Sequence, residues 1–203
     1  MSVATDAEIE AFLKVIDPKD NATGGGTASA VAGAMAAGLA GMVARVSRGK
    51  PDLESEQFYD EIDRAAQQLA RQLLAGGRED SEAFGEVMLA YRLPKSTEGE
   101  KAARSVAIQR GLEGATTVPL ENGERCADVI VLVGRLTPKH NTNATSDLDV
   151  GRRLAIVALE GCIDNVEINM GSLKNEVVRE GFTERLNGLR SVVASATTGE
   201  ADV

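Results

Sequence analysis

The chain has 203 residues, with 22 Lys and Arg against 31 Asp and Glu, for a net charge of −9. That length suits one domain, or one that must dimerise to finish its core, and the acidic balance argues against nonspecific nucleic-acid binding and adhesion to an anionic membrane. Aromatics are 3% with no Trp, and the only Cys and His residues are Cys126, Cys162 and His140, so base-stacking platforms are hard to build, a Cys/His zinc site is effectively excluded and reduced thiols are the default.

The first residues show no basic start followed by an apolar run, so no signal peptide is expected and the chain reads as cytoplasmic. Thr5 and Glu8 form a capping box ahead of the stripe Ile9, Phe12, Leu13 and Ile16, and Asp17-Pro18 stops that helix. Residues 23–44 carry no charge, long enough to test as a membrane span. Their larger apolar groups, Val31, Met35, Leu39, Met42 and Val43, make one stripe, while Ala30, Ala34 and Gly38 repeat on the opposite side. The spacing predicts the buried central helix of a bundle rather than a span.

A polar helix follows over about 52–74, ended by Gly76-Gly77, and another over about 79–92, closed by Leu93-Pro94. Thr97 and Glu100 cap a helix to about 117, where Pro119 interrupts or kinks the chain. Residues 127–133 could be a strand, but nothing else alternates with period two to pair with it, so a buried helix is expected. Ser146 and Asp149 cap a helix to about 168, a last one covers 173–195, and 196–203 should fray. Residues 1–203 therefore read as a single all-α domain of about seven or eight helices.

Three polar clusters exceed what a bundle needs. Gly24, Gly25 and Gly26 open the central helix, where free N–H groups and the helix dipole suit a carboxylate, phosphate or carbonyl oxygen; a flexible connector plus N-cap explains them equally. Asp80 is placed in the first turn of its helix, with Lys95 just past the far end; a dipole partner and a solvated loop lysine are the plain readings. The run from His140 through Asn141, Asn143 and Ser146 to Asp147 packs amides, hydroxyls and a carboxylate into eight residues. Asp147 in a first helical turn could orient a water, and His140 is either a base or a surface residue. Asn165 and Asn169 share one helical face, implying either a structural network or a ligand.

At these residues the sequence resembles the cyclodeaminase/cyclohydrolase family of one-carbon folate enzymes. The matching pieces are the run from Gly24 to Ala30, Asp80 to Phe84, Leu93-Pro-Lys-Ser-Thr97 with its continuation to Arg104, Ala107-Ile-Gln109, Val118-Pro-Leu120, the Asn141 to Asp147 loop, and Asn165-Val-x-Ile-Asn169. They fall in the family's order over nearly the whole chain. The resemblance implies a helical homodimer with a folate cleft formed by the glycine loop, the Leu-Pro-Lys turn and the Asn/Ser-Asp loop.

It also implies the chemistry. Asp147 would orient or deprotonate a water, and Lys95 would stabilise the tetrahedral adduct or pass a proton to the leaving nitrogen, which needs a partly buried site. Gly24, Gly25, Gly26, Asp80, Asn141, Asn143, Ser146 and Asn169 would hold a tetrahydrofolate derivative as substrate, with no permanently bound cofactor and no metal. The expected reaction is hydrolytic opening of 5,10-methenyltetrahydrofolate. The alternatives are a formimidoyltetrahydrofolate cyclodeaminase and a catalytically silent folate-binding or structural homodimer. Thr23 stands where the family usually has Pro, and His140 where it usually has Gly; the first loosens the glycine loop and the second sets a bulky ring beside the proposed site.

Overall fold

Small side chains decide the centre of the molecule. In the computed structural model, which describes residues 6–20 and 23–198 (the side chains of 6–8 and 11 aside), the Ala- and Gly-rich segment is the helix around which the others assemble. Ala30, Ala36, Ala37, Ala40 and Ala44 are fully buried, and so short a side chain lets neighbouring backbones close in. The elements run α1 (Asp6–Ile16), α2 (Gly25–Ser47), α3 (Glu56–Tyr91), α4 (Glu98–Leu136), α5 (Thr145–Met170) and α6 (Glu176–Thr198). Two single 3-10 turns, Thr137–Lys139 and Thr142–Ala144, join α4 to α5.

Helices α3, α4 and α5 pack around α2, and α1 and α6 lie outside them. Both α3 and α5 run antiparallel to α2. Gly77 of α3 sits beside Thr27 while Asp63 pairs with Arg45, and Gly161 of α5 sits beside Ser29 while Gly151 meets Leu39. Among the described residues α2 is the one helix long and apolar enough to cross a membrane, but 61% of its most apolar stretch lies inside the bundle. Leu73, Leu120, Leu136, Leu159 and Leu186 fill the space between helices. Cys126 and Cys162 are free, buried thiols, and their contact with one another, with burial, pushes the Cys162 thiol up.

The described residues hold six α-helices, fewer than expected, because two predicted breaks are absent. The pair Gly76-Gly77 lies inside α3 rather than ending it. Its job is close approach: a Cβ on Gly76 would stand 1.9 Å from Oδ1 of buried Asn122 on α4. Pro119 likewise lies inside α4, which runs through residues 127–133 to Leu136 without interruption. A proline there removes the N–H that would bond the carbonyl of residue 115. The Nδ2 of Asn169 on α5 donates to that Ala115 carbonyl at 2.7 Å, so the freed acceptor is satisfied from outside.

Other boundaries differ in detail. Thr97 and Glu100 make the expected capping box at the start of α4. Ser146 does not cap α5; the helix begins at Thr145 behind a 3-10 turn whose cap is Asn141. The last helix runs on to Thr198, with Ala196 buried and its carbonyl accepting from Arg152, so 196–198 are not frayed. Residues 199–203 and the Thr5–Glu8 box lie outside the described residues and side chains. The stripe on α1 faces largely outward: Ile9, Phe12, Leu13 and Ile16 are 41–60% exposed. Ile9 and Phe12 border an apolar hollow of about 370 Å³ with Val31, Met35 and Leu74.

Candidate active site

The polar clusters gather at the two ends of α2. At its N-terminus, Gly24 is the cap residue, and Gly25 and Gly26 form the first turn. Asp80 reaches this turn from the middle of α3, not from the first turn of its own helix as expected, because α3 is continuous there. A Cβ on Gly26 would fall 2.6 Å from Asp80 Oδ1, so only glycine admits the carboxylate. Thr27, fully buried, holds it: its hydroxyl lies 3.0 Å from Asp80 Oδ2 and 3.1 Å from the Gly77 carbonyl, and its backbone N–H also donates to Asp80. Burial pushes the Asp80 carboxyl above its ordinary range, against the Thr27 bonds that pull it down. Thr23, one residue before the glycines, bonds Asp20 through both its N–H and its hydroxyl. That tether supplies some of the restraint a proline would have given.

At the C-terminus of α2, the Asn/Ser-Asp loop is tied down by its own polar groups. The backbone N–H of Asn141 donates to Ser47 Oγ at 2.8 Å, and its Nδ2 donates to the Val46 carbonyl, one of the acceptors a helix end leaves open. Its Oδ1 accepts from the N–H of Asn143. The His140 ring is also occupied: Nδ1 lies 2.8 Å from the Thr137 carbonyl and Nε2 2.8 Å from Thr145 Oγ1. Asn143, Ser146 and Asp147 side chains have no partner among the described residues. The loop thus spends Asn141 and His140 on its own shape and leaves Asn143, Ser146 and Asp147 unspent. Asp147 lies in the first turn of α5, where the dipole favours a carboxylate.

Asn169 belongs to the glycine-loop end, at the far end of α5. Its amide nitrogen bonds the Ala115 carbonyl and Asn165 Oδ1, so this pair is a structural network bracing α4.

Lys95 follows Pro94 on the turn between α3 and α4 and lines a cleft of about 420 Å³ with Tyr91, Arg104, Gln109 and Lys174. Sequence reasoning singled out neither Arg104 nor Lys174 as site residues, nor Thr27. The signal for Thr27 was its place after the glycines; Lys174 comes into play only through tertiary folding.

In one chain these groups do not meet. From Gly26 to Ser47, whose hydroxyl accepts from the Asn141 N–H, α2 rises about 30 Å at 1.5 Å per residue. The glycine loop and Asp80 stand at one end of that span, and Asn141, Asn143 and Asp147 at the other.

A family model described as formiminotransferase-cyclodeaminase matches residues 8–188. The chain belongs to the formiminotransferase-cyclodeaminase family. Within that family it is 37% identical to a methenyltetrahydrofolate cyclohydrolase of Methylorubrum extorquens, over 96% of this chain and 92% of that protein. It is 31% identical to the formimidoyltransferase-cyclodeaminase of Gallus gallus, over 94% of this chain but 35% of that protein's length. Among solved structures, the formiminotetrahydrofolate cyclodeaminase of Thermotoga maritima superposes with a TM-score of 0.80 at 28% identity, over 91% of this chain and 89% of that one. The Thermotoga maritima structure shares this fold, and the matched proteins carry two related activities in their names.

Proposed function

We propose that the chain hydrolyses 5,10-methenyltetrahydrofolate to 10-formyltetrahydrofolate. What carries this reading is the 37% identity to a cyclohydrolase over nearly the full length of both chains. In this reaction water adds to the cationic carbon between N5 and N10, the C–N5 bond of the tetrahedral adduct breaks, N5 gains a proton, and one net proton is released. Asp147 takes the proton from the attacking water, and Lys95 supports the adduct and delivers the proton to N5. Asn143 and Ser146 bond the substrate's nitrogens and carbonyls, and the first turn of α2 with Asp80 holds its polar ring. Asn141 and Asn169 act chiefly as the frame, since their amide nitrogens are committed to the bundle.

The active unit in this reading is a homodimer. The two half-sites lie at opposite ends of α2, and a two-fold axis across the middle of that helix would bring the first turn of one copy to the Asn/Ser-Asp loop of the other. Met35, near the midpoint of α2, is 55% exposed, and Val150 and Val157 of neighbouring α5 are 48% and 61% exposed. Exposed apolar groups of this kind suit a second copy. Lys95 is exposed in the single chain, and the role given to it here requires a partner that covers it.

Incubating the protein with 5,10-methenyltetrahydrofolate and following loss of its near-ultraviolet absorbance tests the activity; no loss above the spontaneous rate would refute it. The 0.80 TM-score to a cyclodeaminase supports the alternative, in which N10 attacks the formimino carbon and ammonia leaves. Ammonia release from 5-formiminotetrahydrofolate, with no methenyl hydrolysis, would establish that alternative instead. Light scattering should give about twice the 21.3 kDa chain mass.

A further inference from the structure

Two buried hydroxyls outside the polar clusters grip the loop that leads to Asp147. Tyr59, near the start of α3, is 1% exposed, and its ring packs edge-on against Phe58 with centroids 5.1 Å apart. Its hydroxyl donates to the Lys139 carbonyl at 2.5 Å and accepts from the Glu54 N–H at 3.2 Å. Ser47, the last residue of α2, is fully buried; its hydroxyl donates to the Val43 carbonyl at 2.7 Å and accepts from the Asn141 N–H at 2.8 Å. Each hydroxyl thus uses both its donor and an acceptor site, and between them they hold main-chain groups on either side of His140.

Burial explains why these hydroxyls have partners, but not why the partners lie on the loop. A buried helical hydroxyl is commonly satisfied within its own helix, as Thr116 is by donating to the Leu112 carbonyl at 2.7 Å. A phenylalanine would fill the space of Tyr59 with no hydroxyl to satisfy. What the two hydroxyls add is location. Bonds inside the loop, from the Asn143 N–H to Asn141 Oδ1 and from the Ala144 N–H to the Asn141 carbonyl, set its shape but not its place. Among the described residues, the hydrogen bonds that fasten it to α2, α3 and the turn between them fall on Lys139 and Asn141. Tyr59 and Glu54 take the first, Ser47 and Val46 the second. Ala144 and Leu148 are buried, but apolar contact is non-directional. Asp147, in the first turn of α5, bonds no described side chain, so its carboxylate stands where this backbone puts it.

We propose that Tyr59 and Ser47 are positioning residues for the reaction: their hydroxyls fix where the α4–α5 loop stands, and so where Asp147 meets the attacking water. This rests on the folate reading above and on the role given there to Asp147. The leverage is large, because a misplacement of about 1 Å at a reacting group can cost on the order of a hundredfold in rate.

The test compares wild type with Tyr59→Phe, which keeps the ring, with Ser47→Ala, and with Thr116→Val, which removes a buried hydroxyl bonded only inside its own helix. Turnover of 5,10-methenyltetrahydrofolate is measured below the thermal midpoint of every variant. Tyr59→Phe and Ser47→Ala should each lower kcat by about ten- to a hundredfold with a smaller change in KM, while Thr116→Val keeps its kcat. A second readout separates placement from general support. In an Asp147→Asn background, Tyr59→Phe should cost little more, because the group it places has already lost its charge. The full single-variant loss repeated in that background would overturn the assignment, and so would a fall in Thr116→Val as deep as the other two. A variant that keeps full kcat beside an active wild type removes its own hydroxyl from the role and leaves the folate reading intact. If wild type releases ammonia from 5-formiminotetrahydrofolate instead, the same losses on that substrate would keep the positioning and replace the cyclohydrolase. Turnover of neither substrate by wild type would sink the folate reading and the positioning with it.

Discussion

Asn169 on α5 supplies to the Ala115 carbonyl the hydrogen bond that Pro119 withholds from it. A side chain counted among substrate-binding candidates therefore has a structural duty, and the two can be separated by energetics. Asn169→Ala should destabilise the fold by about 1–3 kcal/mol, the cost of a buried acceptor left unpaired. In a Pro119→Ala background the restored N–H can bond the Ala115 carbonyl, so the same Asn169→Ala change should cost markedly less. A double-mutant cycle by urea denaturation measures that difference. Strict additivity would mean that the amide does not compensate for the proline.

Gly76→Ala tests the close approach of α3 and α4. Alanine is the better helix former, yet its Cβ would meet Asn122 Oδ1 at 1.9 Å. The expected outcome is a net loss of about 1–3 kcal/mol from overpacking, read as a lower thermal midpoint. Adding Asn122→Ala should recover part of it. A midpoint above wild type for Gly76→Ala alone would contradict the packing account.

Asp80 couples stability to pH. Its carboxyl titrates above the ordinary 3.8 because burial disfavours the charge, so the native state binds a proton more tightly than the unfolded chain does. Stability contributed by this group is therefore present at low pH and lost as pH rises from about 3.8 through the raised value. Asp80→Asn removes that dependence. Relative to wild type, the variant's thermal midpoint should be more favourable at pH 7 than at pH 4, and a gap independent of pH would count against a raised carboxyl.

Lys95→Met and Asp147→Asn should each lower turnover by roughly two to four powers of ten with little change in thermal midpoint. If each site combines Lys95 of one copy with Asp147 of the other, mixing the two inactive variants should restore activity. Random reassortment puts half the dimers in the mixed form with one intact site of two, about a quarter of wild-type activity. Full activity in either single variant would remove that residue from the chemistry, and no recovery on mixing would place both groups in one chain.

His140→Gly separates the two readings of that ring. Both its nitrogens are engaged inside the loop, with Thr137 and Thr145, so it is poorly placed to serve as a base. The pH profile of turnover should keep its shape, with folate binding tightened by the space released. Loss of most turnover would make His140 a participant.

Much of this was readable from residue types. The Thr97–Glu100 box, the burial of the Ala-rich helix and the grouping of Asn141, Asn143 and Asp147 follow from local rules of capping and periodicity. What escaped was set by partners distant in the chain. Gly76-Gly77 and Pro119 carry strong local break signals, and both were overridden because another helix supplies what the break would have cost: Asn122 fills the space at the glycines, and Asn169 bonds the carbonyl at the proline. Asp80 was misplaced for the same reason, since merging two helices moved it from a terminus to an interior position facing the start of α2. The α1 stripe shows a further limit: periodicity says that a face is apolar, not that the chain covers it, and Ile9, Phe12, Leu13 and Ile16 stay 41–60% exposed.

Helix α2 is fastened at both ends by side chains from other elements, Asp80 at its first turn and Asn141 at its last. That makes it a fixed ruler. One residue added to its interior would swing one fastening about 100° around the axis and push it about 1.5 Å further off, breaking register at one end or the other. Variation in this protein's length should therefore accumulate in its turns and tails, while the count of residues between Gly26 and Ser47 stays constant across any set of working variants.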